Sequence, residues 1–249
     1  MENVQVATYA LRLGDDALVL SQRLAEWCAD APMLEEDIAI SNVGLDYLGR
    51  ARMLLQYAGE TLGQTEDELA FMRESGEFRN LLIMELPRGD FAFSMLRQYL
   101  IDEFETLYFS ELEASQDETL AAVAAKTNKE VSYHLRRSTE WLRRLGLGTE
   151  ESNRRTQNAL DELWGYVTEL FLMDELEAEL CELGIAVDRA SLEKVWREQV
   201  VAQLEAVNLQ LPTEDIHQKG GREGVHTEHL SHMLSEMQIL QRSYPGLEW

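Results

Sequence analysis

The sequence reads Asp46-Tyr47-Leu48-Gly49 in one long segment of helical periodicity and Glu130-Val131-Ser132-Tyr133-His134 in another. Helical bundles that bind two metal ions through carboxylates place an acid and a histidine three residues apart on each of two helices, with one further acid on each of the other two. Here the acids are present, but Gly49 and Tyr133 stand where the histidines would be. The two stretches therefore predict a helical bundle that keeps the plan of such a site without its nitrogen ligands.

Helical periodicity of apolar residues extends over most of the 249 residues. It predicts helices over about residues 4–29, 35–62, 90–115, 117–145, 151–183 and 188–211, with a last helix that begins after Thr227. Only four prolines interrupt the chain, and strand-like alternation never extends over more than a few residues. We expect one all-α domain over residues 1–249, with a ferritin-like four-helix bundle core and additional helices packed around it.

Charge and composition argue against several classes of function. A net charge of −24 would be repelled by nucleic acid and by an anionic membrane surface. No apolar run approaches the length that spans a membrane, and the first residues lack the basic and apolar regions of a signal peptide. The two cysteines, Cys28 and Cys181, have no metal-binding spacing. These features predict a reduced, cytoplasmic protein.

Four acids at helical positions are the candidate metal ligands: Glu26, Asp46, Asp102 or Glu105, and Glu130. His134 follows Glu130 by four residues, so helix geometry leaves it available. All five histidines lie at position 134 or beyond position 216, so a six-ligand di-iron site lacks at least one imidazole. We expect no functional di-iron site in this chain, although a single-metal site stays open. The vestigial positions are Glu26, Asp46, Gly49, Asp102, Glu130, Tyr133 and His134.

Ion pairing within a helix is the structural explanation for the same acids. Arg50 follows Asp46 by four residues and Arg23 precedes Glu26 by three, and both spacings bring side chains together on a helix. A buried carboxylate is costly alone and tolerable when it is paired. We therefore prefer this explanation to a catalytic role for these acids.

The C-terminal part carries two features of its own. His226, His229 and His232 fall within seven residues, and the last two have a helical spacing that zinc could use, although no cysteine lies nearby to complete a tetrahedral site. The preceding loop, Lys219–Gly224, is basic and rich in glycine, so it could bind a phosphate at the start of a helix or dock onto a partner. We favour solvent or interface roles for the histidines and docking for the loop.

Several segments together resemble a known family: Tyr9–Asp15, Leu18–Leu24, Glu26–Cys28, Asn42–Asp46, Phe78–Leu82, Lys129–Glu130 with Tyr133–Arg136, and His226–Leu230 with Glu236–Gln238. This family is the C subunit of the ring-1,2-phenylacetyl-CoA epoxidase complexes of bacterial phenylacetate degradation. The resemblance extends from Tyr9 to Trp249. Its specificity comes from the combination of segments, since no single one is decisive.

The resemblance implies a ferritin-like fold without a cofactor in this chain. In the family, the di-iron centre belongs to the A subunit, which epoxidises the aromatic ring of phenylacetyl-CoA with dioxygen and reducing equivalents from a reductase subunit. The C subunit pairs with the A subunit and supports its structure, alongside further small subunits. The resemblance also associates an acyl-CoA contact with two segments, which correspond here to Glu77, Phe78, Arg79 and Asn80, and to Ala178, Glu179 and Leu180.

Two other functions stay open from the sequence. An independent di-iron oxidase or iron-storage protein would need His134 and a second nitrogen ligand. An acyl-CoA-binding ferritin-like protein would bind CoA esters without an oxygenase partner. We favour a non-catalytic structural subunit of the epoxidase, because that function explains the missing imidazoles.

Overall fold

The computed structural model describes residues 2–213 and 217–247, and within those ranges it is helical and contains no β-strand. Its helices are α1 (Glu2–Ala25), α2 (Leu34–Leu62), α3 (Glu66–Phe71), α4 (Leu82–Glu85), α5 (Phe91–Leu112), α6 (Glu118–Gly146), α7 (Glu150–Leu163), α8 (Glu175–Glu182), α9 (Arg189–Ala206), α10 (Glu228–Met237) and α11 (Ile239–Ser243). The described helices include none that is long and apolar enough to cross a membrane. The all-α prediction is confirmed.

The chain divides into two compact units, Met1–Pro87 with Lys219–Trp249, and Arg88–Gln218. In the first unit, α1 and α2 pack antiparallel. Two contacts show this direction: Gly14 lies against Leu55, and Gly44 lies against Leu24. A Cβ at Gly14 would come within 2.9 Å of the Leu55 side chain, so a larger residue there would displace that side chain. The prediction of a single domain over residues 1–249 stays a prediction.

A glycine marks the end of α2. Gly63 adopts φ 70°, which is the left-handed conformation that favours glycine, and its N–H donates to the Gly59 carbonyl at 2.8 Å. The short helix α3 then begins with a reciprocal cap, in which the Thr65 side chain accepts from the Glu68 N–H and the Glu68 carboxylate accepts from the Thr65 N–H. Local sequence therefore determines this connection.

In the second unit, α5 and α6 also pack antiparallel. The Ser138 hydroxyl of α6 lies 2.7 Å from the Asp102 carboxyl near the middle of α5, and Asn128 near the start of α6 donates to Glu113 just beyond the end of α5. Both helices begin at aspartate caps, as Asp90 accepts from the Phe93 N–H and Asp117 accepts from the Leu120 N–H.

The predicted helix over residues 151–183 was wrong. The structure has α7, then a 3-10 segment over Trp164–Phe171, then an extended connection and α8. The buried Arg189 of α9 explains the break, because its guanidinium binds the carbonyls of Leu170 and Leu172 and the carboxylate of Glu177. Those carbonyls point at a cation that lies far along the sequence, so apolar periodicity does not report the interruption.

The first helix ends at Ala25 instead of Ala29. Ala29 adopts φ 66°, and its N–H donates to the Asp37 carboxylate at 2.7 Å, so the chain turns before α2 begins. This turn moves Glu26 off the helix on which it was expected.

Candidate functional site

Asp102 lies on α5 with its side chain fully buried. The Gln98 amide donates to Asp102 Oδ1 at 2.6 Å, and Ser138 Oγ lies 2.7 Å from Oδ2. Burial raises the pKa of Asp102 well above 3.8; the hydrogen bonds from Ser138 and Gln98 oppose this shift, and the nearby charges of Glu105 and Arg137 act in opposite directions. The site therefore favours a neutral carboxyl group whose two oxygens are already bonded within the protein.

The candidate ligands on α6 do not converge on a common point. Glu130 accepts from the Lys126 ammonium at 2.6 Å. Tyr133 is 44% exposed, so the position three residues after Glu130 reaches solvent. His134 is buried, and its ring meets the Tyr133 ring edge-on at 6.2 Å. Glu130 is thus bonded to a lysine on its own helix.

The first unit contains three of the candidate metal positions, Glu26, Asp46 and Gly49. Glu26 binds Arg23 Nη1 at 2.6 Å, which confirms the predicted ion pair, although Glu26 sits in the turn after α1 and not on the helix. Asp46 is half-buried on α2, and its predicted pairing with Arg50 stays a prediction. Gly49 offers no ligand atom.

The residues at these positions do not fit a carboxylate-bridged di-iron centre. Such a centre needs two imidazoles beside its acids, whereas Gly49 and Tyr133 carry no imidazole and Glu26 and Glu130 are bonded to basic side chains. Within residues 2–213 and 217–247, no group of three or more His, Cys, Asp or Glu is arranged to hold a metal ion. His229 and His232 belong to that surveyed part.

Most side chains of the segment Glu77–Asn80 are buried or hydrogen-bonded within the protein. Phe78 and Asn80 are fully buried, and the Arg73 guanidinium covers the Phe78 ring at 4.1 Å. The Arg79 guanidinium is half-buried and donates to the carbonyls of Gly76 and Phe78. Glu77 is exposed. Of these four side chains, Glu77 and part of Arg79 reach the surface.

The other expected acyl-CoA segment lies on α8. Leu180 is fully buried, whereas Ala178 and Glu179 are exposed. The structure thus gives this segment one core residue and two surface residues on one helical turn. Their role in substrate contact stays a prediction.

Comparison with known proteins identifies the family. The sequence matches the family described as phenylacetic acid catabolic protein over residues 1–249. The chain belongs to this family. It is 50% identical over 246 residues to the C subunit of 1,2-phenylacetyl-CoA epoxidase from Escherichia coli K12, an alignment that covers 98% of this chain and 99% of that protein. The ferritin-like helical fold of the phenylacetic acid catabolic family confirms the predicted fold class.

In this member of the phenylacetic acid catabolic family, the C-terminal histidine that matters to the fold is His226. Its Nδ1 lies 2.7 Å from the buried Glu85 carboxylate, and its Nε2 lies 3.0 Å from the Phe78 carbonyl. Burial lowers the pKa of His226, but the hydrogen bonds with Glu85 and the Phe78 carbonyl and the charge of Glu85 together outweigh that effect. The pKa of His226 is therefore raised. Glu85 also accepts from the backbone N–H of Thr227, which stands at the start of α10 without a side-chain capping bond.

The loop Lys219–Gly224 is held by contacts within its own unit. Arg222 binds the Asp16 carboxylate at 2.6 Å and donates to the Arg12 carbonyl at 3.2 Å. Gly221 lies directly on the Asn80 carbonyl, where a Cβ would come within 2.0 Å. Because Asp16 already neutralises the Arg222 charge, this guanidinium is not available to a phosphate, and the loop packs onto the chain itself.

A buried polar network around Asp15 and Asp16 in the first unit was missed by sequence reasoning. The fully buried Asp15 pairs with the buried Arg73 and accepts from the Arg79 N–H at 2.9 Å, while Asp16 accepts from the Leu81 N–H at 2.7 Å. The helical periodicity of residues 4–29 assigns no role to Asp15 or Asp16. Two adjacent acids inside an apolar helical segment are the signal that could have revealed this network, since buried acids need partners.

Proposed function

We propose that this chain is a non-catalytic structural subunit of a multicomponent phenylacetyl-CoA epoxidase in aerobic phenylacetate catabolism. In this proposal it pairs with the di-iron catalytic subunit and supports its structure, together with further small and reductase subunits. The observation that carries the proposal is the 50% identity, over 98% of the chain, to a protein named as the C subunit of that epoxidase.

The candidate metal positions support the non-catalytic part of the proposal. Asp102 has the environment of a neutral carboxyl group, and the acids Glu26 and Glu130 neutralise basic side chains of their own segments. Each acid thus has a structural role that needs no metal. We infer that the chain has no cofactor of its own and that the iron belongs to the partner subunit.

The proposal also concerns contact between this chain and phenylacetyl-CoA. Among the seven residues expected at that contact, Arg79 alone carries a cationic group that could approach a CoA phosphate, and its guanidinium is half-buried and bonded to two carbonyls. Glu77 and Glu179 are exposed acids, which would repel a phosphate. Any contribution of this chain to acyl-CoA binding therefore rests mainly on Arg79.

Reconstitution tests the function. The catalytic subunit, the reductase and the small subunits are assayed for epoxidation of phenylacetyl-CoA with and without this chain. We expect co-purification of this chain with the catalytic subunit and a large loss of activity when it is omitted. Full activity without this chain, or epoxidation by this chain and the reductase alone, would refute the proposal.

Calorimetry distinguishes the proposed structural subunit from an acyl-CoA-binding protein that needs no oxygenase partner. The isolated chain and the complex with the catalytic subunit are each titrated with phenylacetyl-CoA. The proposal expects saturable binding by the complex and none by the isolated chain. Tight binding by the isolated chain that is abolished in Arg79→Gln would favour an acyl-CoA-binding protein.

A further inference from the structure

The helix α2 exposes large apolar side chains along one face. Leu34 is 72% exposed, Ile38 is 54% exposed and Leu45 is 62% exposed. Steps of four and seven residues keep these positions on one side of an α-helix. Single exposed apolar residues are ordinary, but three on one face of one helix form an apolar strip, which is interrupted at Ser41. We call Leu34, Ile38, Leu45 and the adjacent Gly49 the α2 strip.

Gly49 continues this face one turn beyond Leu45. A Cβ at Gly49 would meet no atom within 4 Å, so packing within the chain does not require a glycine there. Gly14 on α1 differs, because its Cβ would come within 2.9 Å of Leu55. Glycine is the poorest helix former after proline, so a glycine inside a 29-residue helix needs a reason. Close approach of a backbone from another chain supplies one.

The charges around the α2 strip indicate what kind of chain approaches it. Between residues 34 and 49 the sequence carries the acids Glu35, Glu36, Asp37 and Asp46 and no lysine or arginine. Two copies of this acidic face would repel each other, which disfavours a homodimer through α2. An apolar helix flanked by lysine or arginine would match both the apolar strip and its acidic borders.

We propose that the α2 strip is the surface on which this chain binds the catalytic subunit, through an apolar helix of that subunit with basic residues at its borders. The inference rests on the proposed function, because it takes its partner from there. Leu34 and Gly49 are 15 residues apart in sequence, which corresponds to about 22 Å of helix and is enough for four turns of a facing helix. Ile38 and Leu45 are its central anchors, and Gly49 is the point of closest approach.

The first test replaces the anchors. Ile38→Ser and Leu45→Ser are compared with Val195→Ser, a control in which an exposed apolar residue of another helix, α9, receives the same change. Affinity for the purified catalytic subunit is measured by calorimetry, and folding by circular dichroism. We expect at least a tenfold weaker affinity for the double variant with an unchanged melting temperature, and unchanged affinity for the control.

The second test uses Gly49, where the proposal predicts two effects of opposite sign. Gly49→Ala should raise the melting temperature of the isolated chain, since alanine favours the helix and its Cβ has space. The same variant should bind the catalytic subunit more weakly, and Gly49→Leu should bind more weakly still. Unchanged affinity for both variants would overturn the assignment of Gly49 to the interface.

The outcomes separate the docking surface from the proposed function. If the unmodified chain does not bind the catalytic subunit, the proposed function fails together with this inference. If it binds and all α2 variants bind equally well, only the docking surface is refuted. If light scattering shows that the isolated chain is a dimer and that Leu45→Ser makes it monomeric, a second copy occupies the strip and the proposed partner is wrong.

Discussion

Asp102, one of the candidate metal ligands, is fully buried on α5 and is hydrogen-bonded within the protein. The Gln98 amide donates to Asp102 Oδ1 at 2.6 Å, and the Ser138 hydroxyl donates to Oδ2 at 2.7 Å. Every polar atom of the carboxyl group then has a partner inside the protein. Such satisfaction is what makes a buried polar group tolerable.

The first prediction concerns the pH dependence of stability at Asp102. Because burial raises its pKa well above 3.8, the folded chain holds a proton there that the unfolded chain has lost, so this group makes stability fall as pH rises above about 4. Asp102→Asn keeps the geometry, with its carbonyl towards Gln98 and its NH2 group towards Ser138, and cannot ionise. We expect the variant to be at least as stable as the unmodified chain at pH 8 and to show a smaller decline with pH.

Urea unfolding between pH 5 and pH 8 measures that difference. Asp102→Ala is the matched control, because it removes both hydrogen bonds and should cost about 1–3 kcal/mol, plus a contribution from the cavity. A loss of about 3 kcal/mol or more in Asp102→Asn would mean that Asp102 is ionised and paired, since breaking a buried ion pair has a cost of that order. That result would contradict the neutral assignment.

The second prediction concerns three other acids among the candidate metal ligands, Glu26, Asp46 and Glu130. Glu26→Gln, Asp46→Asn and Glu130→Gln should each leave epoxidation by the reconstituted complex within about twofold of normal, which corresponds to about 0.4 kcal/mol in the barrier. Glu26 and Glu130 bind basic side chains close to them in sequence, so the amides remove local ion pairs and no ligand. A fall of several orders of magnitude with the fold intact would indicate catalysis by this chain.

The third prediction concerns His226. Its pKa is raised, so the stability that it contributes is complete below about pH 6.5 and is lost as the pH rises through the higher value in the folded chain. We expect the difference in unfolding free energy between the unmodified chain and His226→Gln to shrink from pH 6 to pH 9. His232→Gln is the control, since His232 is exposed on α10. An increase of the difference with pH would contradict the assignment.

At the scale of elements, buried ion pairs determine where segments begin, end and attach. Asp15 of α1 holds Arg73 beyond the end of α3, and Arg189 of α9 holds Glu177 of α8 together with two carbonyls of the preceding segment. Both pairs join residues that are far apart in sequence or separated by an element boundary. Each pair therefore fixes an arrangement that local periodicity leaves undetermined.

The fourth prediction tests the first of these pairs. Asp15→Ala leaves the buried Arg73 without its carboxylate and removes the acceptor of the Arg79 N–H, so we expect a loss of about 3–5 kcal/mol in unfolding free energy. Glu151→Ala is the control, because its ion pair with Arg154 is exposed and should contribute little. Equal effects of the two changes in urea unfolding would show that the buried pair does not hold the first unit together.

The helices were predictable where caps and periodicity agree. The residue after α2 is a glycine in the left-handed conformation, and α6 begins at an aspartate cap, so local chemistry marks both boundaries. The break between α7 and α8 was not predictable in this way, because the partner of those carbonyls is Arg189 and lies outside any local window. Local signals therefore predict the elements, and buried long-range charges decide where some of them are interrupted.

At the scale of the whole molecule, the sequence shows which residue types stand at the candidate metal positions, but it does not show the contacts that those residues make. The missing imidazoles at Gly49 and Tyr133 can be read from spacing alone. The hydrogen bonds of Asp102 with Gln98 and Ser138 cannot, since they depend on the register between α5 and α6. The exposure of the α2 strip also needed the structure, because apolar positions on a helix predict burial by default.

A subunit that supports a catalytic partner is expected to keep a stable core and to expose apolar surface where the partner binds. The chain combines ion-paired acids at two of the candidate metal positions, Glu26 and Glu130, with exposed apolar residues along α2. Its membership of the phenylacetic acid catabolic family and its similarity to the C subunit of an epoxidase are consistent with that combination.

Counting iron per chain is the most direct test of the central claim. The isolated chain and its complex with the catalytic subunit are loaded with ferrous iron without oxygen, desalted and measured by plasma mass spectrometry against protein concentration. We predict no stoichiometric iron in the isolated chain and about two irons for each catalytic subunit in the complex, as a di-iron centre requires. Two irons bound per isolated chain, lost in Asp102→Asn and Glu130→Gln, would contradict the account.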